Sequence, residues 1–321
     1  MKKKIFVIGS SGLTGYKTVT HARSRNYDVY GTFNVRKMPP DSLRDEIGTF
    51  FALDFNKNGD GLKRAFTEIK PDVVVNCTAL HNVDYCELNP SEAYLVNSQA
   101  VGKIATLCNI FGSRFIHIST DFVFDGEKSS AYLETDNPNP LNLYAESKLA
   151  GEIEAKQANS FALVRTSVVY GWTPIELQGS YSSSGKPMNF ALWAINQLKN
   201  KNPLQIVDDQ YSSPTLADIL GSVCVRLANS NENGIYHVSG SSCNSRYEFT
   251  RKIAEVMGYS SAEIKAIQTY SLNQEAKRPR NSCLNCQKVQ RLLNFSLPDI
   301  EQSLFIMRSQ MEVEAPSLLG N

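Results

Sequence analysis

Tyr144 and Lys148 lie four residues apart within Leu143-Tyr144-Ala145-Glu146-Ser147-Lys148-Leu149-Ala150, a strong helix-forming run. On a helix that spacing puts both side chains on one face. A free phenol, with a pKa near ~10, exchanges protons poorly at neutral pH, and a neighbouring cation stabilises the phenolate. The pair therefore reads as an acid–base unit. Ser119-Thr120-Asp121 closes the preceding apolar run Arg114-Phe115-Ile116-His117-Ile118. Ligands of doubly wound sheets bind at that end of a strand. Near the start of the chain, Gly9-Ser10-Ser11-Gly12-Leu13-Thr14-Gly15 forms a G-x-x-G-x-x-G between an apolar run and a helix-like stretch. Glycines there permit a tight turn, let backbone N–H groups approach a pyrophosphate at the positive helix end, and let helix and strand pack closely. Its position between strand and helix favours a dinucleotide site over a plain turn.

Which dinucleotide is read just after the second strand, where a carboxylate would accept the ribose hydroxyls of NAD. Phe33-Asn34-Val35-Arg36-Lys37 has no carboxylate there. Arg36 and Lys37 suit a 2′-phosphate, so charge complementarity favours NADPH, with NADH also allowed.

The elements that must position these residues alternate regularly. Strand-like runs at 4–8, 28–33, 50–53, 72–76, 114–118 and 161–164 bracket helical patterns at 14–25, 60–69, 90–111 and 143–157. Short apolar strands between longer helices indicate βαβ units and a parallel sheet covered on both faces. The expected fold is α/β, a doubly wound, Rossmann-like parallel sheet with a smaller C-terminal α/β substrate lobe. Residues 1–170 are assigned to the cofactor domain, 171–312 to a partly interleaved substrate lobe and 313–321 to a frayed tail. The Ser- and Gly-rich stretch from Trp172 to Pro187 reads as a loop. The strand at 204–207 is expected to return to the first sheet.

Composition excludes several function classes. Lys+Arg 33 against Asp+Glu 32 gives a formal charge of +1, which supplies no footprint for nucleic acid or an anionic membrane. The apolar run after Lys2-Lys3-Lys4 ends at Gly9, short of a signal sequence, and no later run approaches the ~20 residues of a membrane span. A cytoplasmic protein is expected. The 7 cysteines are odd in number and scattered, so reduced thiols are expected. Cys283-Leu284-Asn285-Cys286 lacks the second pair or histidines that a metal site needs, and no metal is expected.

Taken together, Gly9-x-x-Gly12-x-x-Gly15, Asn76-Cys77-Thr78-Ala79, Ser119-Thr120-Asp121 and Tyr144-x-x-x-Lys148 resemble the extended short-chain dehydrogenase/reductase superfamily. Longer blocks are similar to the dTDP-4-dehydrorhamnose reductase family: 119–126, 207–215, 234–240 and Lys277-Arg278-Pro279. The resemblance implies NADPH-dependent reduction of a nucleotide-linked 4-keto-6-deoxy sugar in dTDP-rhamnose biosynthesis. Tyr144 would protonate the carbonyl oxygen, Lys148 would hold the nicotinamide ribose and tune Tyr144, and Thr120 would bond near the reacting oxygen. Gly12, Leu13 and Thr14 would meet the pyrophosphate, Asn34 and Arg36 the adenosine ribose, and Asp54 and Phe55 the adenine. Thr78, Ala79 and Leu80 would meet the nicotinamide-side ribose, and Thr120 and Asp121 the substrate. A structural role for Asp121 at a strand end competes with that one. The implied partner is the nucleotide sugar, and a homodimer is allowed. The methionine adenosyltransferase beta subunit shares the resemblance, so the alternative is a non-catalytic, NADP-binding regulatory subunit.

Departures concern the sugar pocket. The family commonly has Trp after Arg-Thr-Ser, where this chain has Val168, and its 172–187 loop is longer. Trp172 is a candidate substitute for the lost aromatic platform. Phe122, Phe124, Tyr94, His81 and His117 read as core or pocket wall. Asp208-Asp209 reads as a turn that binds backbone amides.

Overall fold

The computed structural model describes residues 2–34, 49–53, 55, 60–174 and 189–320. Strand β1 (Lys4–Ile8) shows why the sheet is central. Ile5, Phe6, Val7 and Ile8 are all fully buried, so both faces of the strand are covered. Ile5 and Val7 pack with helix α1 (Leu13–Ser24) on one side, whereas Phe6 and Ile8 pack with helix α2 (Asp60–Ile69) on the other. That division follows from the two-residue side-chain alternation of a strand.

Strands β2 (Asp28–Asn34), β3 (Thr49–Leu53) and β4 (Val73–Asn76) follow. The chain then runs through helices α3 (Val83–Leu88) and α4 (Pro90–Tyr94), a π-helical segment at Leu95–Gln99, helix α5 (Ala100–Phe111) and strand β5 (Arg114–Thr120). Helix α6 (Leu143–Ala155) and strands β6 (Phe161–Thr166) and β7 (Val169–Tyr170) complete the first half. The second half contains α7 (Phe190–Lys199), β8 (Leu204–Val207), β9 (Tyr211–Ser212), β10 (Thr215–Leu216), α8 (Ala217–Leu227) and β11 (Gly234–His237). Then come β12 (Asn244–Ser245), α9 (Arg246–Met257), β13 (Ile264–Ile267), α10 (Gln287–Leu293) and α11 (Ile300–Glu314).

The main sheet has seven parallel strands in the order β11-β6-β5-β4-β1-β2-β3. This is the expected doubly wound α/β sheet. Its order reverses between β1 and β4, which opens a crevice at the carboxyl ends of those strands. The strand that returns from the second half is β11, and not the one at 204–207. Strand β8 instead pairs with β13 in a separate parallel pair (Ile264↔Leu204 to Ile267↔Val207). Helix α8 also belongs against the sheet, since Leu220, Val223 and Cys224 share the core of α1 and β1.

The second core gathers Tyr170, Trp172, α7, α9 and α11. Trp172 is 1% exposed and its indole N–H donates to Glu314 Oε2 at 2.7 Å. It is therefore a core residue, and not a replacement platform for the sugar. The expected frayed end is packed as well: Gly320 N–H bonds to Met257 O, and the Tyr259 hydroxyl donates to Leu318 O at 2.6 Å.

One buried ion pair ties helix to sheet. Arg165 of β6 grips Glu152 of α6 with two bonds, Nε to Oε1 at 2.8 Å and Nη2 to Oε2 at 2.7 Å, and Ser119 Oγ of β5 donates to Oε1 at 2.7 Å. The arginine and carboxylate side chains are 1% and 0% exposed. Replacing one partner strands the other charge away from water. Glu152→Ala is expected to lower unfolding free energy by about 3–5 kcal/mol, read as a lower urea midpoint.

Candidate active site

The glycine turn is built by close approach. Gly9 has φ +83°, and a Cβ on Gly15 would sit 2.0 Å from Gly9 O, so the helix start can lie against the turn only without a side chain there. Gly12 caps α1 without a side-chain bond, and the first helical turn has no acidic residue. No bond from the N–H groups of Leu13, Thr14 and Gly15 occurs among the described residues. That leaves donors and the positive helix end open to an anion. Gly9, Gly12, Leu13, Thr14 and Gly15 thus form a cradle that fits a dinucleotide pyrophosphate.

Next to it, Thr78-Ala79-Leu80 is held by two buried asparagines. Asn76 Oδ1 accepts from Thr78 N and from Thr78 Oγ1 at 2.6 Å. Asn97 Oδ1 accepts from Leu80 N at 2.8 Å, while its Nδ2 donates to Leu80 O and to Ser147 Oγ, both at 3.0 Å. Asn97 lies in the π-helical segment, an irregularity that frequently marks functional sites. A Cβ on Gly151 would come 2.0 Å from Asn97 O, so this glycine lets α6 lie against the segment.

Helix α6 is capped by Asn142, whose Oδ1 accepts from Ala145 N and whose Nδ2 reaches Lys277 O at 2.8 Å. Tyr144 is half-buried, edge-on to Phe122 at 6.1 Å between centroids, and shares a side-chain hydrogen bond with Thr120. Desolvation outweighs that bond and pushes the phenol above its ordinary value. Lys148 is buried and donates to Ile118 O at 2.7 Å. Burial pulls its ammonium down to about 8, against the opposing pull of Glu152. The Tyr–Lys spacing predicted that the cation would lower the phenol. Instead Lys148 is turned toward the β5 carbonyl, and desolvation governs both groups.

Asp121 is 2% exposed and accepts from Ser167 Oγ at 2.6 Å, Ser282 Oγ at 2.5 Å and Thr120 Oγ1 at 3.1 Å. Burial nevertheless raises its carboxyl, opposed by these donors and by Arg246. Its bonds fit the structural reading directly, since they join β5, the turn after β6 and the 282 segment. Val168 follows Ser167 at φ +43°, a left-handed conformation costly for a β-branched residue. Thr215 holds this turn, with Oγ1 donating to Ser167 O at 2.6 Å and N–H to Val168 O at 3.2 Å.

Arg246, at the start of α9, was not singled out by sequence. Its guanidinium lies 5.1 Å from the Phe190 ring centroid, acts on Asp121, and is drawn down to about 10 by desolvation. Arg278 is nearby and paired with Asp84 at 2.7 Å. Sequence reading also missed Asn97, Ser147, Glu152, Arg165, Ser167 and Ser282. Arg165 and Ser167 stand in the Arg-Thr-Ser run before Val168, and Glu152 continues the 144–148 spacing by another four residues. Arg36 and Asp54 lie outside the described residues, and Phe55 packs on the α2 side of the sheet. Phe124 and His117 are buried as expected. Asp209 accepts from Thr269 N, as a turn residue would. No group able to hold a metal ion occurs among the described residues, and none of their helices is long and apolar enough to cross a membrane.

Contrary to the expectation of reduced thiols, Cys243 is bonded to Cys283, with Cα atoms 5.6 Å apart. The C-x-x-C partner Cys286 is free. Pairing of β12 with β9 and of the 280–282 segment with Tyr211 brings the two together across forty positions.

The model of a family described as RmlD substrate binding domain matches residues 3–312. The dTDP-4-dehydrorhamnose reductase of Escherichia coli strain K12 is 34% identical over 266 residues, 79% of this chain and 84% of that protein. A probable low-salt glycan biosynthesis reductase of Haloferax volcanii is 31% identical over 300 residues, 93% of this chain and 95% of that protein. The solved dTDP-4-dehydrorhamnose reductase of Bacillus anthracis, in complex with NADP, superposes with a TM-score of 0.82 at 27% identity, covering 97% of this chain and 100% of that one.

Lys148 provides a direct check on the electrostatics. With isotope-labelled lysine side chains, one lysine is expected to titrate with a midpoint near about 8 while ordinary lysines titrate near ~10.4. The charge is present below that midpoint and lost as pH rises through it, and Lys148→Met removes the signal.

Proposed function

Because the chain belongs to the RmlD substrate binding domain family, we propose that it is an NADPH-dependent reductase of a nucleotide-linked 4-keto-6-deoxy sugar, with dTDP-4-dehydrorhamnose as the substrate and dTDP-L-rhamnose as the product. The observation that carries the reading is the placement of Tyr144, half-buried and joined to Thr120 at the carboxyl end of β5, with buried Lys148 one helical turn further on. A phenol placed there is within reach of an oxygen that gains negative charge and can donate its proton to it.

When bound, NADPH supplies hydride to the carbonyl carbon. The residues of the chain do the rest. The α1 turn orients the pyrophosphate through the free N–H groups at 13–15, and the 78–80 loop, braced by Asn76 and Asn97, borders the adjoining ribose. Tyr144 gives its proton to the carbonyl oxygen, and Thr120 steadies that hydroxyl. Lys148 keeps a positive charge beside the site below pH about 8. Arg246 and Arg278 offer cations to the substrate diphosphate from the second lobe. Arg36 and the absence of a carboxylate after β2 support NADPH over NADH. Cytoplasmic residence and a homodimeric assembly belong to the same proposal.

The test is loss of NADPH absorbance with dTDP-4-dehydrorhamnose as substrate. Tyr144→Phe is expected to lower turnover about 10²–10⁴-fold, the usual share of a general acid, with NADPH affinity nearly unchanged. Turnover that survives this substitution would rule out the assignment. In the parent enzyme, kcat/KM should decline above about pH 8 as the Lys148 charge is lost.

A further inference from the structure

The Cys243–Cys283 bond stands at a particular place in the site. Cys283 directly follows Ser282, whose hydroxyl donates to Asp121 Oδ2 at 2.5 Å, and Cys243 lies three positions before Arg246. The loop closed by the bond, from 243 to 283, contains both Arg246 and Arg278. Three short segments lie side by side beneath it. Ser245 pairs with Tyr211, Tyr211 N–H donates to Arg280 O, and Ser282 N–H donates to Tyr211 O. The 276–286 segment is also held by the two-bonded Arg278–Asp84 ion pair, by Tyr132 N–H to Cys283 O and Asn285 N–H to Tyr132 O, both at 2.8 Å, and by Asn142 to Lys277 O; the Cys243–Cys283 bond adds a covalent link to the segment just before α9.

We propose that Cys243 and Cys283 form a reversible thiol–disulfide site that fastens the second-lobe wall of the active site, so that the redox state of this pair sets substrate affinity. The proposal rests on the reductase reading for its kinetic readout only. Cys243 is exposed whereas Cys283 is fully buried, so exchange enters at the Cys243 sulfur. A low-molecular-weight thiolate attacks that sulfur, the S–S bond breaks, and Cys283 leaves as a thiolate that takes up a proton. A second thiol then cleaves the mixed disulfide. Two protein thiols and one small-molecule disulfide result, with two electrons passed to the protein. Cys286 does not compete as an internal nucleophile: it is buried against the Ser239 hydroxyl at 3.2 Å, and burial holds its thiol up at about 11.

In the reduced protein Ser282 and Arg278 lose their covalent tether to the base of α9, while the cofactor cradle, built from β1 and α1, is untouched. The experiment incubates the full chain with reduced or oxidised glutathione, alkylates free thiols and maps peptides. Oxidised protein should show five alkylated cysteines and a linked peptide pair containing Cys243 and Cys283. Reduction should raise KM for dTDP-4-dehydrorhamnose about tenfold, the loss expected when one buried charge-assisted hydrogen bond is no longer held in place, with NADPH affinity unchanged. Cys243→Ser should behave as the reduced form and ignore glutathione. Failure to form the linked peptide at any glutathione ratio overturns the proposal, as does an equal KM in the two states. Should neither state turn over the sugar, the reductase reading fails by itself, and amide exchange decides the redox site: faster exchange at 276–286 on reduction supports it and equal exchange overturns it.

Discussion

Glu152 is a carboxylate without contact to water, and the geometry of the site follows from how it is satisfied. Its oxygens accept two bonds from Arg165 and one from Ser119, so a residue of α6 is joined at once to β6 and β5. Leaving such a charge unpaired is costly, which confines α6 to one axial and rotational setting. Tyr144, Lys148 and Glu152 fall on the same stripe of that helix, at intervals of four. Fixing the last residue therefore aims the other two. Lys148 meets the Ile118 carbonyl on β5 and Tyr144 meets Thr120 two residues further on. The neighbouring stripe of α6 is set by contact with the π-helical segment, through Gly151 and the Asn97–Ser147 bond.

The second half of the chain is registered against this framework at Asp121. Its carboxylate, buried at the end of β5, receives hydroxyls from Ser167 and from Ser282, which is 161 positions away in sequence. The same carboxylate thus joins the sheet, the turn after β6 and the wall that carries Arg278. The turn after β6 is the strained one, with Val168 in the left-handed region and Thr215 bonded to both carbonyls of the turn. Strain of this kind persists only where surrounding bonds over-determine the conformation, and here those bonds come from Thr215 at the start of β10.

The sheet strands were legible because burial on both faces demands continuous apolar runs such as Ile5–Ile8, and the helices between them were legible from length and periodicity. The glycine turn was legible for a similar reason: its glycines serve a local packing need, which Gly15 against Gly9 makes explicit. What misled was absence of a local signal. Strand β8 has the same apolar composition as a sheet strand, yet it pairs with β13, because pairing depends on which edge is open. Trp172 looked available within a Gly- and Ser-rich stretch, but α11 supplies Glu314 as a partner for its indole and draws it into the core. The last residues looked unanchored for the same reason, since their partners, Met257 and Tyr259, are remote in sequence.

By itself, the sequence determined the class of sheet, the position of the cofactor turn, and the Tyr144–Lys148 stripe. Each of these is a local pattern, repeated every two or four residues or confined to a single turn. Only the tertiary structure decided how those groups are charged and what surrounds them. Burial raises the phenol of Tyr144 and lowers the ammonium of Lys148, whereas spacing alone suggested a mutual effect. Likewise, Arg246, Ser282 and the Cys243–Cys283 bond enter the site from the far end of the chain. Desolvation and long-range pairing are properties of the packed volume around a group, and a residue's neighbours along the chain do not encode them.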